Sequence, residues 1–266
     1  MLYLTPMKVL ILGNSSMSSR IIIEQLQKIQ NVSIDYLIYP KFTFDEGERS
    51  SIKRWKNKSR VFLFTKIFSF YIDPLFSIIF QKKITNSLNK SGINYFKIFN
   101  KVNERISEIV SQDYSLIISI GHRLLNDSIL KSASVPILNL HSGHLPKYGG
   151  LANEFWVRFY GEKYMFITIH RMEQKLDSGS IIFQASVEID NSWSVFMTNI
   201  YLNVFAGAQL NLFLLEYNRT KYFRYKKTRH KPVIRSFPDK NQVLMLKNRE
   251  VKVIKFSDFC KLYDLC

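Results

Sequence analysis

Apolar runs alternate with segments of helical spacing along the chain up to about residue 190. Runs rich in Val, Ile and Leu predict strands, and apolar positions that recur every three or four residues predict helices between them. The predicted strands cover residues 8–13, 32–39, 93–99, 114–120, 135–140, 166–172 and 181–189. The predicted helices cover residues 20–29, 103–110, 125–133 and 153–160. This alternation predicts an α/β fold with a Rossmann-like, mostly parallel sheet and helices on both faces.

The pattern changes after a long helix that is predicted at residues 192–217, because the composition then turns basic. We therefore expect a main domain at residues 1–217 and a short, basic C-terminal extension at residues 218–266. The predictions for this tail are a loop or hairpin at 220–235, a capped helix at 239–247 and a short strand at 251–255.

Length and composition limit the class of protein. The 266 residues allow one large α/β domain with a short appendage. Hydrophobic residues make up 46% of the chain, and no repeat or low-complexity tract interrupts it, which indicates an ordered globular protein. The two cysteines, Cys260 and Cys266, are too few for a disulfide framework and lack the partners of a zinc site. We therefore expect a reducing, cytoplasmic location and no bound metal.

Residues 62–80 form the most lipid-like stretch of the chain. Lys66, Asp73 and Pro74 interrupt it where a spanning helix needs continuous apolar side chains, so we expect no membrane span. Its aromatic residues are expected in the core, with a partner surface or a membrane-surface contact as alternatives. Residues 1–13 lack the basic start and the cleavage site of a secretion signal, and we expect them to lead into the first strand.

The net charge of +17 is concentrated in two segments. Residues 219–255 hold thirteen Lys and Arg against two acidic residues, and residues 41–66 hold eight against three. Such segments favour polyanions, which include RNA, a phosphorylated or nucleotide-linked substrate, and an anionic membrane face. The alternative is a lysine-rich surface that is merely solvated. Composition alone does not distinguish this surface from one that binds a polyanion.

Two polar side chains stand at the end of the predicted strand 135–140. Side chains at i and i+2 of a strand point to the same face, so Asn139 and His141 are expected side by side. The carboxyl end of a strand in an open α/β sheet is where ligand sites form. Taken singly, the histidine fits a structural role, and Asp177, which precedes Ser-Gly, fits a turn. The turn after Gly13 lacks G-x-G-x-x-G, so no dinucleotide cofactor is expected.

An ordered set of short motifs changes this interpretation. The motifs are Asn139-Leu-His141, Leu145-Pro-Lys-Tyr148-Gly-Gly150, Thr168-Ile-His170-Arg-Met172 and Asp177-Ser-Gly179. With them the chain resembles the catalytic domain of the N10-formyltetrahydrofolate-dependent formyltransferases. The resemblance covers roughly residues 7–190 in the order of elements and is dense over 135–190. One position departs from the family pattern, because Gly149 stands where the family has an arginine, and a planar donor is thereby lost from this loop.

The resemblance implies a catalytic set of Asn139, His141 and Asp177. Transfer of a formyl group to an amine builds negative charge on the formyl oxygen and moves a proton between nitrogens. An asparagine amide donates to such an oxygen, and a histidine carries a proton near neutral pH. Asp177 is expected to favour the imidazolium and to accept or relay the proton of the amine.

The resemblance also implies a pocket for the formyl donor, N10-formyltetrahydrofolate, between the end of the fourth strand and the polar connection before Asp177. The residues expected to line it are Ile120, Gly121, His122, Arg123, Leu124, Leu125, Glu173 and Leu176. His144 and Tyr148 are expected to contact the substrate. His122 and His170 are expected to be structural or pocket-lining, and ordinary core is the alternative for Leu124 and Leu125.

The tail bears on which amine accepts the formyl group. The 49 residues after position 217 are fewer than the C-terminal barrel of a tRNA formyltransferase needs. They resemble the short C-terminal extension of bacterial formyltransferases that act on nucleotide-linked amino sugars. This implies a nucleotide-linked amino-deoxysugar as acceptor, such as a dTDP- or UDP-4-amino-4,6-dideoxy sugar, in the synthesis of surface polysaccharide such as the O-antigen of lipopolysaccharide.

Three alternatives stay open beside this interpretation. The acceptor is aminoacyl-tRNA in the first and another amine in the second. In the third, the chain is a noncatalytic relative that binds RNA or a membrane. Nucleic acid is not the partner that we expect. Residues 62–80 and the long helix both offer surfaces for a homodimer, and the sequence leaves the oligomeric state open.

Overall fold

A computed structural model of the chain describes residues 6–14, 16–26, 28–39, 93–97, 102–121, 125–227 and 230–258. The described strands are β1 (Met7–Asn14), β2 (Val32–Tyr39), β3 (Ile93–Lys97), β4 (Leu116–Ile120), β5 (Ile137–His141), β6 (Gly149–Gly150), β7 (Tyr164–Arg171), β8 (Ile181–Glu188) and β9 (Ile234–Arg235). The described helices are α1 (Met17–Glu24), α2 (Val102–Val110), α3 (Asp127–Ser132), α4 (Asn153–Phe159), α5 (Val195–Thr220) and α6 (Lys240–Asn248). The segments 41–66 and 62–80 of the sequence analysis lie outside the described residues.

Seven of the described strands form one sheet, in the order β3-β2-β1-β4-β5-β7-β8. Neighbours from β3 to β5 pair in parallel, whereas the β5–β7 and β7–β8 pairs are antiparallel. The predicted α/β fold with a mostly parallel sheet is confirmed. The chain winds in opposite directions from β1 and β4, so the carboxyl ends of β1, β4 and β5 lie at the edge where such sheets hold ligands.

Helices cover both faces of this sheet. Val9 and Ile11 of β1 belong to a core cluster that contains buried residues of α1, α4 and α5. The alternate residues, Leu10 and Leu12, belong to a second cluster with residues of α2 and α3. All five residues of β4 are buried, which is the pattern of a strand covered on both sides.

The described part of the tail differs from its prediction in two places. The prediction of a strand at 251–255 is wrong. The carbonyl oxygens of Lys252 and Val253 instead accept hydrogen bonds from the backbone N–H groups of Val195 and Phe196, both at 3.0 Å. These N–H groups begin α5 and have no partner inside the helix. The extended segment therefore caps a helix instead of joining a sheet.

The second difference lies in the segment predicted as a loop or hairpin, which contains β9, paired in parallel with β6. The capped helix is confirmed as α6, where Asp239 and Gln242 form a capping box. Helix α5 continues through residue 217 to Thr220, and the division into residues 1–217 and 218–266 stays a prediction. Within the described ranges, no helix combines the length and the apolar character needed to cross a membrane.

Helices α1 and α5 approach each other closely at Gly207. A Cβ at this position would lie 2.6 Å from the carbonyl oxygen of Ile22 and 2.6 Å from Cβ of Gln25. One turn further along α5, Nδ2 of Asn211 donates a hydrogen bond of 2.8 Å to the carbonyl oxygen of Gln25. The long helix is thus held directly against the backbone of α1.

We expect Gly207→Ala to lower the free energy of unfolding by about 1–2 kcal/mol. The added methyl group meets the backbone of α1, and overpacking costs about 1–3 kcal/mol, whereas the better helix propensity of alanine returns at most about 1 kcal/mol. Ala208→Ser, on the exposed side of the same helix, is the control and should change the value by about 0.5 kcal/mol or less. Urea denaturation measures both, and a Gly207→Ala protein as stable as the parent would contradict the close packing.

Candidate active site

The antiparallel pairing of β5 with β7 assembles the centre of the site. Asn139 lies opposite His170, and His141 lies opposite Thr168. Directly opposed residues of two paired strands share a face, so these four side chains project to the same side. Nδ2 of Asn139 lies 3.1 Å from Nε2 of His170, close enough for a hydrogen bond.

His141 is buried, and both of its ring nitrogens have neighbours. Nε2 lies 2.8 Å from the carbonyl oxygen of Tyr148 and 3.2 Å from Nδ2 of Asn153. A carbonyl oxygen only accepts, so the first contact serves the ring when Nε2 carries the proton. An amide nitrogen donates, so the second contact serves the tautomer protonated on Nδ1. The surroundings therefore accommodate a proton on either nitrogen.

Asp177 returns to the strand end from the connection between β7 and β8. Its backbone is in the left-handed region, with φ of 52°. Oδ2 accepts a hydrogen bond of 2.7 Å from the backbone N–H of Gly150. Oδ1 lies 3.7 Å from Nδ1 of His141 and 3.6 Å from Nε2 of His170. The three predicted catalytic residues thus converge, with His170 between Asn139 and Asp177.

His170 is neutral in this arrangement. Its Nδ1 donates to the carbonyl oxygen of Arg171 at 2.9 Å, and its Nε2 accepts from the amide of Asn139. Burial, and after it the neighbouring His141, lower the pKa of His170 to about 4, although the charge of Asp177 and the hydrogen bond to Arg171 act in the opposite direction. The ring therefore acts as an acceptor that orients Asn139, whose second amide hydrogen stays available for another acceptor.

The two predicted substrate contacts are engaged with the protein. His144 stacks on Phe166 with ring centroids 4.1 Å apart, and burial lowers the pKa of His144. The hydroxyl of Tyr148 donates to Oε1 of Glu162 at 2.6 Å, which together with burial raises the pKa of Tyr148. Its ring lies 4.4 Å from the guanidinium of Arg235. A substrate role for either side chain stays a prediction.

The residues predicted to line the donor pocket are only partly described. Ile120 is buried at the end of β4, and the following Gly121 has φ of 61° and accepts from Nδ2 of Asn14 at 2.8 Å. Leu125 is buried in the core cluster with α2 and α3. Glu173 and Leu176 are exposed on the connection to Asp177. The other predicted residues, His122, Arg123 and Leu124, lie outside the described residues.

Sequence reasoning missed three groups of this site. His170 was expected to be structural or pocket-lining, and the Nδ2 of Asn153 and the N–H of Gly150 were not considered. The alternation of Thr168 and His170 along β7 is the signal that could have placed the second histidine on the face of Asn139. The backbone N–H of a glycine leaves no such signal.

A side-chain amide, an imidazole and a carboxylate that lie together are groups suited to transfer at a carbonyl carbon. The doubly wound sheet places this site at the carboxyl end of β5. Residues 77–198 match the family model described as formyl transferase. This part of the chain is therefore similar to the formyl transferase family, as the motifs predict.

One curated relative is the bifunctional polymyxin resistance protein ArnA of Wigglesworthia glossinidia brevipalpis, 38% identical over 86 residues. The aligned part is 31% of this chain and spans 13% of the length of that relative.

Two solved structures share the fold over most of the chain. WlaRD, described as a sugar 3N-formyl transferase in the presence of dTDP and 5-N-formyl-THF, has a TM-score of 0.53 and 14% identity, and the match covers 94% of this chain and 83% of WlaRD. The phosphoribosylglycinamide formyltransferase of Anaplasma phagocytophilum has a TM-score of 0.57 and 15% identity, and the match covers 87% of this chain and 100% of that chain. At these identities the likeness establishes the fold.

The neutral state of His170 predicts a pH dependence of stability. The unfolded chain holds this proton with the ordinary pKa of 6.5 and the folded chain with a pKa of about 4, so the unfolded state binds more protons between these values. Stability is fully present above pH 6.5 and is lost as the pH falls towards 4. We expect His170→Gln to reduce this loss by on the order of 1–3 kcal/mol, as measured by denaturant unfolding at several pH values.

His230, which is exposed, provides the matched control for this measurement. His230→Gln should keep the pH dependence of the parent. Equal slopes for the parent and for His170→Gln would contradict a neutral, buried His170.

Proposed function

We propose that this protein transfers a formyl group from N10-formyltetrahydrofolate to the amine of a nucleotide-linked amino-deoxysugar, such as a dTDP- or UDP-4-amino-4,6-dideoxy sugar, for surface polysaccharide synthesis. The observation that carries the proposal is the convergence of Asn139, His141 and Asp177 within a chain that matches the formyl transferase family. The sugar acceptor rests on the resemblance of the tail and on the description of WlaRD.

Formyl transfer to an amine needs a donor for the oxygen on which charge develops. The formyl donor supplies a carbonyl carbon bonded to a nitrogen that leaves with the bonding electron pair. Asn139 directs one amide hydrogen to His170, and we assign the other to the formyl oxygen while the amine adds to the carbon. A single donor of this kind is worth about 10²–10³ in rate.

The proton of the attacking amine must also reach the leaving nitrogen. His141 accommodates a proton on either ring nitrogen, and its Nδ1 lies 3.7 Å from Oδ1 of Asp177. In the proposed reaction His141 takes the proton as the new carbon–nitrogen bond forms and gives it to the leaving nitrogen as the old bond breaks. The carboxylate of Asp177 stabilises the imidazolium between these steps.

The charge of the tail supports an anionic acceptor. Residues 219–255 carry thirteen basic and two acidic residues, and such a segment attracts a nucleoside diphosphate. A second candidate acceptor is phosphoribosylglycinamide, because the Anaplasma enzyme that is named for this substrate is matched over 100% of its chain. Aminoacyl-tRNA stays the third candidate.

We expect turnover with N10-formyltetrahydrofolate and at least one nucleotide-linked amino sugar. The purified chain is incubated with the formyl donor and a panel of 3-amino and 4-amino sugar nucleotides, phosphoribosylglycinamide and charged tRNA. Release of tetrahydrofolate is followed by absorbance and the formylated product by mass spectrometry. Formylation of phosphoribosylglycinamide or tRNA, with none of any sugar, would overturn the sugar assignment.

Substitution of the proposed catalytic residues tests their roles. We expect kcat to fall by about 10²–10⁴ in each of three variants. Asn139→Ala removes the oxyanion donor, His141→Ala removes the proton carrier, and Asp177→Asn removes the charge that stabilises the imidazolium. Asp113→Asn, at an exposed position after α2, is the control for the loss of a carboxylate and should keep the parent rate. Thermal melts monitor folding, and parental kcat in any of the three variants would remove that residue from the mechanism.

A further inference from the structure

The tail strand β9 is hydrogen-bonded along the loop that supports the site, residues 146–151. Val233 N–H donates to the carbonyl oxygen of Pro146 at 2.9 Å, and Gly149 N–H donates to the carbonyl oxygen of Val233 at 3.1 Å. The N–H of Leu151 donates to the carbonyl oxygen of Arg235 at 2.8 Å. Three backbone hydrogen bonds therefore join this six-residue loop to Val233 and Arg235, in a segment that lies outside the family match at 77–198.

The side chain of Arg235 adds contacts to the same loop. Its guanidinium lies 4.4 Å from the ring centroid of Tyr148 and 5.4 Å from that of Tyr160, which is the geometry of cation–π contacts. It also donates to the carbonyl oxygen of Lys147. Since the hydroxyl of Tyr148 is held by Glu162, this tyrosine is fixed at its face and at its tip.

The loop in turn holds both proton-handling residues of the site. The carbonyl oxygen of Tyr148 contacts Nε2 of His141 at 2.8 Å. The N–H of Gly150 donates to Oδ2 of Asp177 at 2.7 Å. Arg235 therefore contacts the very residue whose carbonyl oxygen sets the position of the His141 ring, and β9 pairs with the residue that holds Asp177.

The two glycines of the loop are complementary to the tail. A Cβ on Gly149 would lie 2.9 Å from Cδ1 of Ile234 and 3.4 Å from Cβ of Pro232. Gly150 has φ of 85°, and a Cβ there would lie 2.2 Å from the carbonyl oxygen of Arg235. The space into which a side chain at position 149 would project is thus filled by Ile234 and Pro232 of the tail and by Oδ2 of Asp177 at 3.4 Å. The tail also brings the guanidinium of Arg235 to the loop.

We propose that Arg235 is a positioning residue of the active site, and that β9 holds the loop 146–151 so that Tyr148 and Gly150 fix His141 and Asp177. In this arrangement the tail supplies the guanidinium that position 149 lacks. The inference rests on the proposed formyl transfer for its kinetic readout and on the contacts above for its structural readout.

The kinetic test compares Arg235→Met, Arg235→Lys and Arg224→Met in the full chain, with the acceptor that the wild type formylates. Arg235→Met should lower kcat by about 10–10², the scale expected when catalytic groups are misplaced by about 1 Å, with KM for the formyl donor changed by about threefold or less. Arg235→Lys should recover only part of the loss, because an ammonium lacks the planar stacking surface. Guanidinium added at millimolar concentration should restore part of the activity of Arg235→Met.

Arg224 is an exposed arginine of the same tail, and Arg224→Met is the control for a lost charge. It should keep the wild-type kcat and show no response to guanidinium. Wild-type kcat in Arg235→Met, or an equal loss in both methionine variants, would overturn the positioning role while the proposed reaction stands.

Amide hydrogen exchange gives a readout that does not depend on turnover. In Arg235→Met, exchange at residues 147–151 should rise by about tenfold or more, because the loop loses the contacts of the guanidinium with Lys147 and Tyr148 and opens more often. Arg224→Met should exchange like the wild type. A wild-type protein that formylates no amine would refute the proposed function, whereas unchanged loop exchange in Arg235→Met would refute this inference.

Discussion

The register between β5 and β7 determines which side chains meet at the site. A shift of one residue would turn every side chain of β7 to the other face, so His170 would leave Asn139, and Ile169 or Arg171 would take its place. Ile167 and Ile169 oppose such a shift, because both are fully buried in the core on the far side of the strand. The polar cluster therefore depends on hydrophobic burial on the opposite face of the same strand.

Burial also gives the two histidines, His141 and His170, different roles. The rings of His141 and His170 lie 6.2 Å apart and share one carboxylate oxygen, so two imidazolium ions would repel each other and compete for Asp177. With only 2% of its surface exposed, His170 loses the solvation that a charged ring needs. It stays neutral and orients an amide, which leaves the charge of Asp177 to His141.

The parts of the site that local patterns encode could be predicted from the sequence. The mostly parallel sheet follows from the alternation of strands and helices along the chain, and the placement of Asn139 and His141 on one face follows from the period of a strand. The role of His170 is set by a partner in another strand, and residues 251–255 read as a strand although their carbonyl oxygens serve the start of α5. Such pairings join distant segments, so no window of sequence contains them.

Pairing between distant segments also links the basic tail to the main domain. A boundary at residue 217, drawn from composition alone, does not show this link. Two successive glycines give the loop at 149–150 the greatest backbone freedom available to a chain, yet the groups it holds must stay within a fraction of an ångström of a productive geometry. The two glycines cannot supply that restraint through side chains of their own, because a Cβ on Gly149 would lie 2.9 Å from Cδ1 of Ile234 and one on Gly150 would lie 2.2 Å from the carbonyl oxygen of Arg235. The backbone hydrogen bonds to residues 233 and 235 therefore restrain the loop together with the bond between Tyr148 and Glu162. In the proposed arrangement the basic tail is thus part of the site, although its composition alone suggests a separate extension.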